Sequence, residues 1–131
     1  MILLGADVEE IRRFSKLYYT ENKGFYSKIF TKQEIGYCLS HKDPYPHFAV
    51  RFAAKEAVFK ALSGKIDLKM NDIQVENDRG GRPGIRILAK HKKTKDFLMQ
   101  YNISISLSHT DSTAFAVCVA SDEKSDSFGK A

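Results

Sequence analysis

The chain has 131 residues, 43% of them hydrophobic and 28% charged, with a formal net charge of +5 and a pI near 9.2. That size makes one domain with room for a core, and the basic balance suits an anionic partner. Two cysteines, Cys38 and Cys118, exclude a disulfide framework and are read as buried free thiols. No stretch approaches the ~18 apolar residues of a membrane span. The start lacks a basic segment followed by an apolar one, so the expectation is a soluble, cytoplasmic protein.

In chain order, residues 2–7 read as an apolar strand that passes Gly5 into an acidic run of Asp7, Glu9 and Glu10, followed by a helix from about 9 to 19. Asp7 and Glu9 share one side of the sheet if the extended conformation persists, and diverge if the helix starts early. A carboxylate at a strand end is well placed for a metal. Arg12, Arg13 and Lys16 fall on the expected helix, Arg12 and Lys16 on one face of it.

Thr31 and Glu34 have capping-box spacing, with Phe30 and Ile35 placed as a hydrophobic staple, so a helix starts there and runs to about Ser40. The box accounts for Glu34 without catalysis. Residues 41–47 contain Pro44 and Pro46 and read as a loop, after which Phe48 leads into a helix that ends before Gly64. On that helix Ala54, Ala57, Val58, Ala61 and Leu62 share an apolar arc. Glu56 and Lys60 lie one turn apart on the other face, and Arg51 and Lys55 make a second pair with the same spacing. A carboxylate among cations suits a doubly charged phosphate ester and its metal. The plainer alternative is an amphipathic helix whose surface ion pair contributes ~0.3–0.5 kcal/mol.

Residues 72–78 and 84–89 read as a hairpin around Gly80, Gly81 and Pro83, and 92–101 as a basic helix. Strict alternation over Ile103–Ser108 marks a half-buried strand that delivers His109 to a turn; it pairs with a strand at 114–120 through Asp111 and Ser112. The tail, 121–131, is polar and aperiodic and is expected to fray, leaving 1–120 as the domain. The order of elements gives an α+β fold, an antiparallel sheet with helices packed on one face.

Five of these stretches together resemble the small holo-[acyl-carrier-protein] synthases, a 4′-phosphopantetheinyl transferase family. They are Gly5–Ile11, Phe30–Glu34, the run Arg51-Phe52-Ala53-Ala54-Lys55-Glu56-Ala57-Val58-Phe59-Lys60-Ala61, the hairpin Asn77–Pro83, and Ile105-Ser106-Leu107-Ser108-His109-Thr110. Order and spacing agree over roughly residues 1–120.

The resemblance implies transfer of phosphopantetheine from coenzyme A to a serine of apo acyl carrier protein, releasing adenosine 3′,5′-bisphosphate, in fatty acid biosynthesis. It implies magnesium (Mg2+) held by Asp7 and Glu56, an ion that suits few carboxylates plus phosphate oxygens. Lys60 would hold a diphosphate oxygen; Arg51, Lys55 and His109, with the hydroxyls of Ser108 and Thr110, would face the phosphates of coenzyme A. The base stays open between Glu56 and a magnesium-bound water, the latter favoured because a coordinating carboxylate accepts protons poorly. Arg12, Arg13 and Lys16 would dock the acidic carrier protein. The resemblance also implies a homotrimer with active sites shared between subunits.

Three positions depart from the family's pattern. Val50 stands where glycine is common, Ser63-Gly64-Lys65-Ile66 replaces Gly-Thr-Gly, and Glu9 is acidic where the small synthases vary. Glu9 is therefore either an extra magnesium ligand or a solvated acid at a helix N-terminus. A basic α+β domain that binds RNA through Lys90–Lys95 is a separate reading, disfavoured by the sparse aromatics on the last strands and the lack of an aromatic–glycine motif.

Overall fold

Strand β1 runs the full length Ile2–Glu10 because β5, Thr113–Ser121, pairs with all of it, from Ile2 against Ser121 to Glu10 against Thr113. These features come from a computed structural model, which describes residues 1–122. The helix expected from about residue 9 is thereby corrected: strand pairing holds Glu9 and Glu10 extended, and α1 is the single turn Arg12–Ser15. A 3₁₀ turn at Tyr19–Glu21 and the helix α2, Lys23–Ile29, follow.

Helix α3, Lys32–Leu39, starts at the predicted capping box: Thr31 accepts from the Glu34 backbone N–H at 3.2 Å, and Glu34 Oε1 accepts from the Thr31 N–H at 2.8 Å. Helix α4, Tyr45–Leu62, starts three residues before the expected point and takes in the end of the predicted loop, residues 45–47. Its first turn tolerates Pro46 because the N–H groups there have no intrahelical acceptor to lose. Gly64, at φ +78, turns the chain away beyond its end.

A 3₁₀ turn at Met70–Asp72 leads into the hairpin of β2, Ile73–Asn77, and β3, Pro83–Ile87. Helix α5, Lys92–Leu98, is shorter than expected, and β4, Asn102–His109, completes a three-stranded antiparallel sheet in the order β1–β5–β4. The β2–β3 hairpin forms its own two-stranded sheet instead of extending the larger one. Ser121 is the last residue of β5, and the Asp122 N–H donates to the Met1 carbonyl, so order extends past the expected boundary at 120. The expected fraying of 123–131 lies outside the described residues.

Helix α4 lies across one face of the three-stranded sheet. Small side chains permit a close approach: a Cβ on Gly5 would sit 1.9 Å from the Ala57 carbonyl oxygen. Ala57, Val58, Ala61 and Leu62 bury against Ala116, Cys118 and Ala120. Each large apolar side chain here, such as Leu62, contributes about 1.5–3 kcal/mol of transfer free energy. A second, aromatic core of Phe14, Tyr26, Phe30, Phe48 and Phe52 packs beside the N-terminal half of α4, with Val50 half-buried against it.

Among the described residues no helix covers the opposite face of the sheet. There the register aligns Leu4 with Val119 and Ser104, and Val8 with Phe115 and Ser108. Ile2, Leu4, Val8, Phe115 and Val119 are all exposed.

Candidate active site

Because β1 stays extended through Glu10, Asp7 and Glu9 point to the same side as Gly5, towards α4. Helix α4 brings Glu56 and Lys60 to that flank. Lys60 Nζ donates to Asp7 Oδ1 and to the Ala6 carbonyl, both at 3.0 Å. The Asp7 side chain is only 10% exposed, and its Oδ2 is buried without a hydrogen-bond donor. Glu9 Oε1 accepts from Arg13 Nη1 at 2.9 Å.

Glu9 and Glu56, gathered beside Asp7 in little water, resist ionisation. Burial, then a hydrogen bond and like charge from Asp7, push the Glu9 pKa up to about 7 against the opposing pull of Arg13. Burial and the charge of Asp7 also raise Glu56, with Lys60 and Arg13 pulling the other way. A cation beside Asp7 would serve the orphaned Oδ2.

These residues fit a magnesium ion, which needs one or two carboxylates and takes phosphate oxygens and water for the rest. Among the described residues no group of three or more His, Cys, Asp or Glu side chains is spaced to hold a metal ion. Asp7 and Glu56 are the pair that fits; Glu9 is engaged by Arg13.

The cations of the signature helix divide. Lys55, expected to face a phosphate, does not: its side chain is fully buried, and Nζ donates to Glu34 Oε1 at 2.5 Å and to the Ile73 carbonyl. The reason is the capping residue, because Glu34 Oε1 caps α3 while Oε2 accepts from the Val75 N–H at 2.8 Å, leaving a buried charge that only a cation can balance. Burial lowers the Lys55 pKa, opposed by Glu34. Arg51 is 5% exposed; its Nη2 donates to Asn77 Oδ1 at 2.7 Å, and its guanidinium carbon lies 3.9 Å from the centre of the Tyr37 ring.

Arg51 thus sits on the flank of α4 towards β2, away from Lys60 and Asp7 on the β1 flank. His109 ends β4, is exposed, and contacts its neighbour's Thr110 carbonyl through Nδ1 at 3.3 Å. Ser108 is exposed, while Thr110 Oγ1 accepts from the Ser112 and Thr113 N–H groups and so braces the β4–β5 turn. Arg12, Arg13 and Lys16 are exposed on and just beyond α1, but Arg13 is committed to Glu9. Sequence reading missed His47, which joins the Arg51 flank; the signal was its four-residue spacing from Arg51, hidden by the late helix start.

A family model described as the 4′-phosphopantetheinyl transferase superfamily matches residues 3–119. The chain belongs to that superfamily. Among curated relatives of this transferase, the holo-[acyl-carrier-protein] synthase of Thermodesulfovibrio yellowstonii is 39% identical over 116 residues, covering 88% of this chain and 95% of the relative. The crystal structure of the Neisseria meningitidis synthase superposes with a TM-score of 0.77 at 27% identity, covering 92% of this chain and 99% of that one. The Helicobacter pylori synthase, solved in complex with coenzyme A, gives 0.76 at 30% identity over 91% of this chain and 100% of that one. The enzyme is a phosphopantetheinyl transferase of the holo-[acyl-carrier-protein] synthase group with an α+β fold.

Proposed function

We propose that this transferase moves 4′-phosphopantetheine from coenzyme A to a serine of apo acyl carrier protein in a magnesium-dependent reaction that releases adenosine 3′,5′-bisphosphate and serves fatty acid biosynthesis. The observation that carries the reading is the Asp7 carboxylate, one oxygen on Lys60 and the other buried without a donor beside Glu56. When bound by Asp7 and Glu56, the ion supplies positive charge against the transferred and leaving oxygens.

The chain's own groups do the rest. Lys60, a flexible point charge half exposed at 51%, swings from Asp7 to a diphosphate oxygen. A carboxylate engaged by the ion accepts protons poorly, so Glu56 serves as a ligand and the serine proton passes to water at the site. Arg12 and Lys16, one turn apart and exposed, meet the acidic carrier.

Arg51 and His109, with Ser108 and Thr110 nearby, take the remaining phosphate of coenzyme A. The two flanks of α4 then belong to sites completed by a neighbouring copy, in keeping with a homotrimer. The exposed apolar face of Ile2, Leu4, Val8, Phe115 and Val119 supports such burial. Incubation with apo acyl carrier protein, coenzyme A and magnesium, followed by mass spectrometry of the carrier, tests the transfer. The carrier gains the phosphopantetheine mass; an unmodified carrier refutes the reading. Sedimentation at micromolar concentration tests the trimer.

A further inference from the structure

The approach to α4 carries a histidine pair that the transfer chemistry leaves unused. His41, just after α3, and His47, in the first turn of α4, stack with ring centroids 3.6 Å apart and planes 26° from parallel. Tyr37 meets both rings edge-on, at 4.8 and 5.9 Å, and carries the Arg51 guanidinium 3.9 Å from its ring centre. The Nδ1 of His41 lies 2.9 Å from the Tyr37 carbonyl, which can only accept, so Nδ1 carries a proton and Nε2 is the position left for a second one.

The surroundings of His47 disfavour its charged form. Burial, then the charges of His41, Arg51 and His109, lower the pKa of His47 from its ordinary 6.5, and Asp43 alone opposes them. The dipole of an 18-residue helix adds to the cost of an imidazolium in its first turn. Three imidazoles therefore share a flank with the fixed cation Arg51, and a bound anion would reverse the balance that disfavours a charge on His47.

We propose that binding of a phosphate monoester at the Arg51–His109 flank takes up a proton on the His41–His47 pair, so that these two residues couple affinity for the 3′-phosphate of coenzyme A to pH. This rests on the reading of that flank as a coenzyme A phosphate site. A phosphate monoester is largely dianionic at pH 7, its second pKa being about 6. Arg51 balances one charge; a solvent proton on His47 or on Nε2 of His41 balances the other, and the stacked partner stays neutral. Affinity rises as pH falls towards about 6 and levels off once the phosphate itself protonates.

Calorimetric titration of the full chain tests this, with coenzyme A and dephospho-coenzyme A as probes, a chelator present, at neutral pH in buffers of different ionisation heat. The diphosphate common to both ligands lies near Glu9 and draws the same protons in each case, so the readout is the excess uptake of coenzyme A over dephospho-coenzyme A, about half a proton. His47→Gln and His41→Gln each reduce this excess at least twofold, while His91→Gln on the approach to α5 leaves it unchanged; circular dichroism confirms folding of each variant. Equal uptake with both ligands, or the full excess in both histidine variants, overturns the proposal. If those results come from a chain that transfers from coenzyme A normally, only this inference falls. If coenzyme A neither binds nor supports transfer, the reading of the flank falls with it.

Discussion

Lys55 and Glu34 form an ion pair with both side chains fully buried, joining α4 to the cap of α3 and, through the Val75 N–H and the Ile73 carbonyl, to β2. Removing one partner strands the other charge without water. Lys55→Met is expected to cost about 3–5 kcal/mol in a urea melt. The double variant Lys55→Met, Glu34→Gln recovers part of that loss, since no bare charge remains.

Asp7→Asn is expected to abolish most transfer, on the order of a hundredfold or more. It also relieves the like-charge pressure on Glu56 and Glu9. Without metal the variant should melt no lower than the parent, and magnesium should shift the parent's melting temperature but not the variant's. A variant destabilised by several degrees would assign Asp7 to structure instead.

Glu9 sets a pH dependence. Its pKa rises from 4.5 to about 7 on folding, so between those values the native state holds more protons than the unfolded chain. That contribution to stability is complete below about 4.5 and is lost as pH climbs through about 7. Metal-free protein should lose stability over this window, Glu56 acting in the same direction, and Glu9→Gln should flatten the curve. Magnesium titration of the same variant tests Glu9 as a ligand: an unchanged requirement rejects that role.

Gly5→Ala tests the seat of α4 on β1. A methyl 1.9 Å from a backbone carbonyl cannot be accommodated by rotating a side chain, so strand and helix must separate. The expected cost is about 1–3 kcal/mol or more in thermal denaturation, with reduced transfer because Asp7 follows β1.

Charge reversal at Arg12 or Lys16 should raise KM for the carrier several-fold and leave KM for coenzyme A unchanged, read from initial rates. Arg13 is the poorer test of docking. Its reversal would also strip Glu9 of its cation.

The sequence by itself determined the family, the chain order of most elements, the capping box at Thr31 and Glu34, and the one-turn pairing of Glu56 with Lys60. These are local: each depends on spacing within a single strand or helix. Where β1 would end was not local, because pairing with β5 overrode the acidic run that suggested a helix. Four-residue spacing put Arg51 and Lys55 on one face of α4 but could not say what that face would meet. A helix buried on most of its sides offers no single polar stripe to read, so only packing against α3 and β2 decided that Lys55 would serve Glu34. The separation of Lys60 and Asp7 from Arg51 and His109, on opposite flanks of one helix, was likewise decided by which strands lie on each side of it.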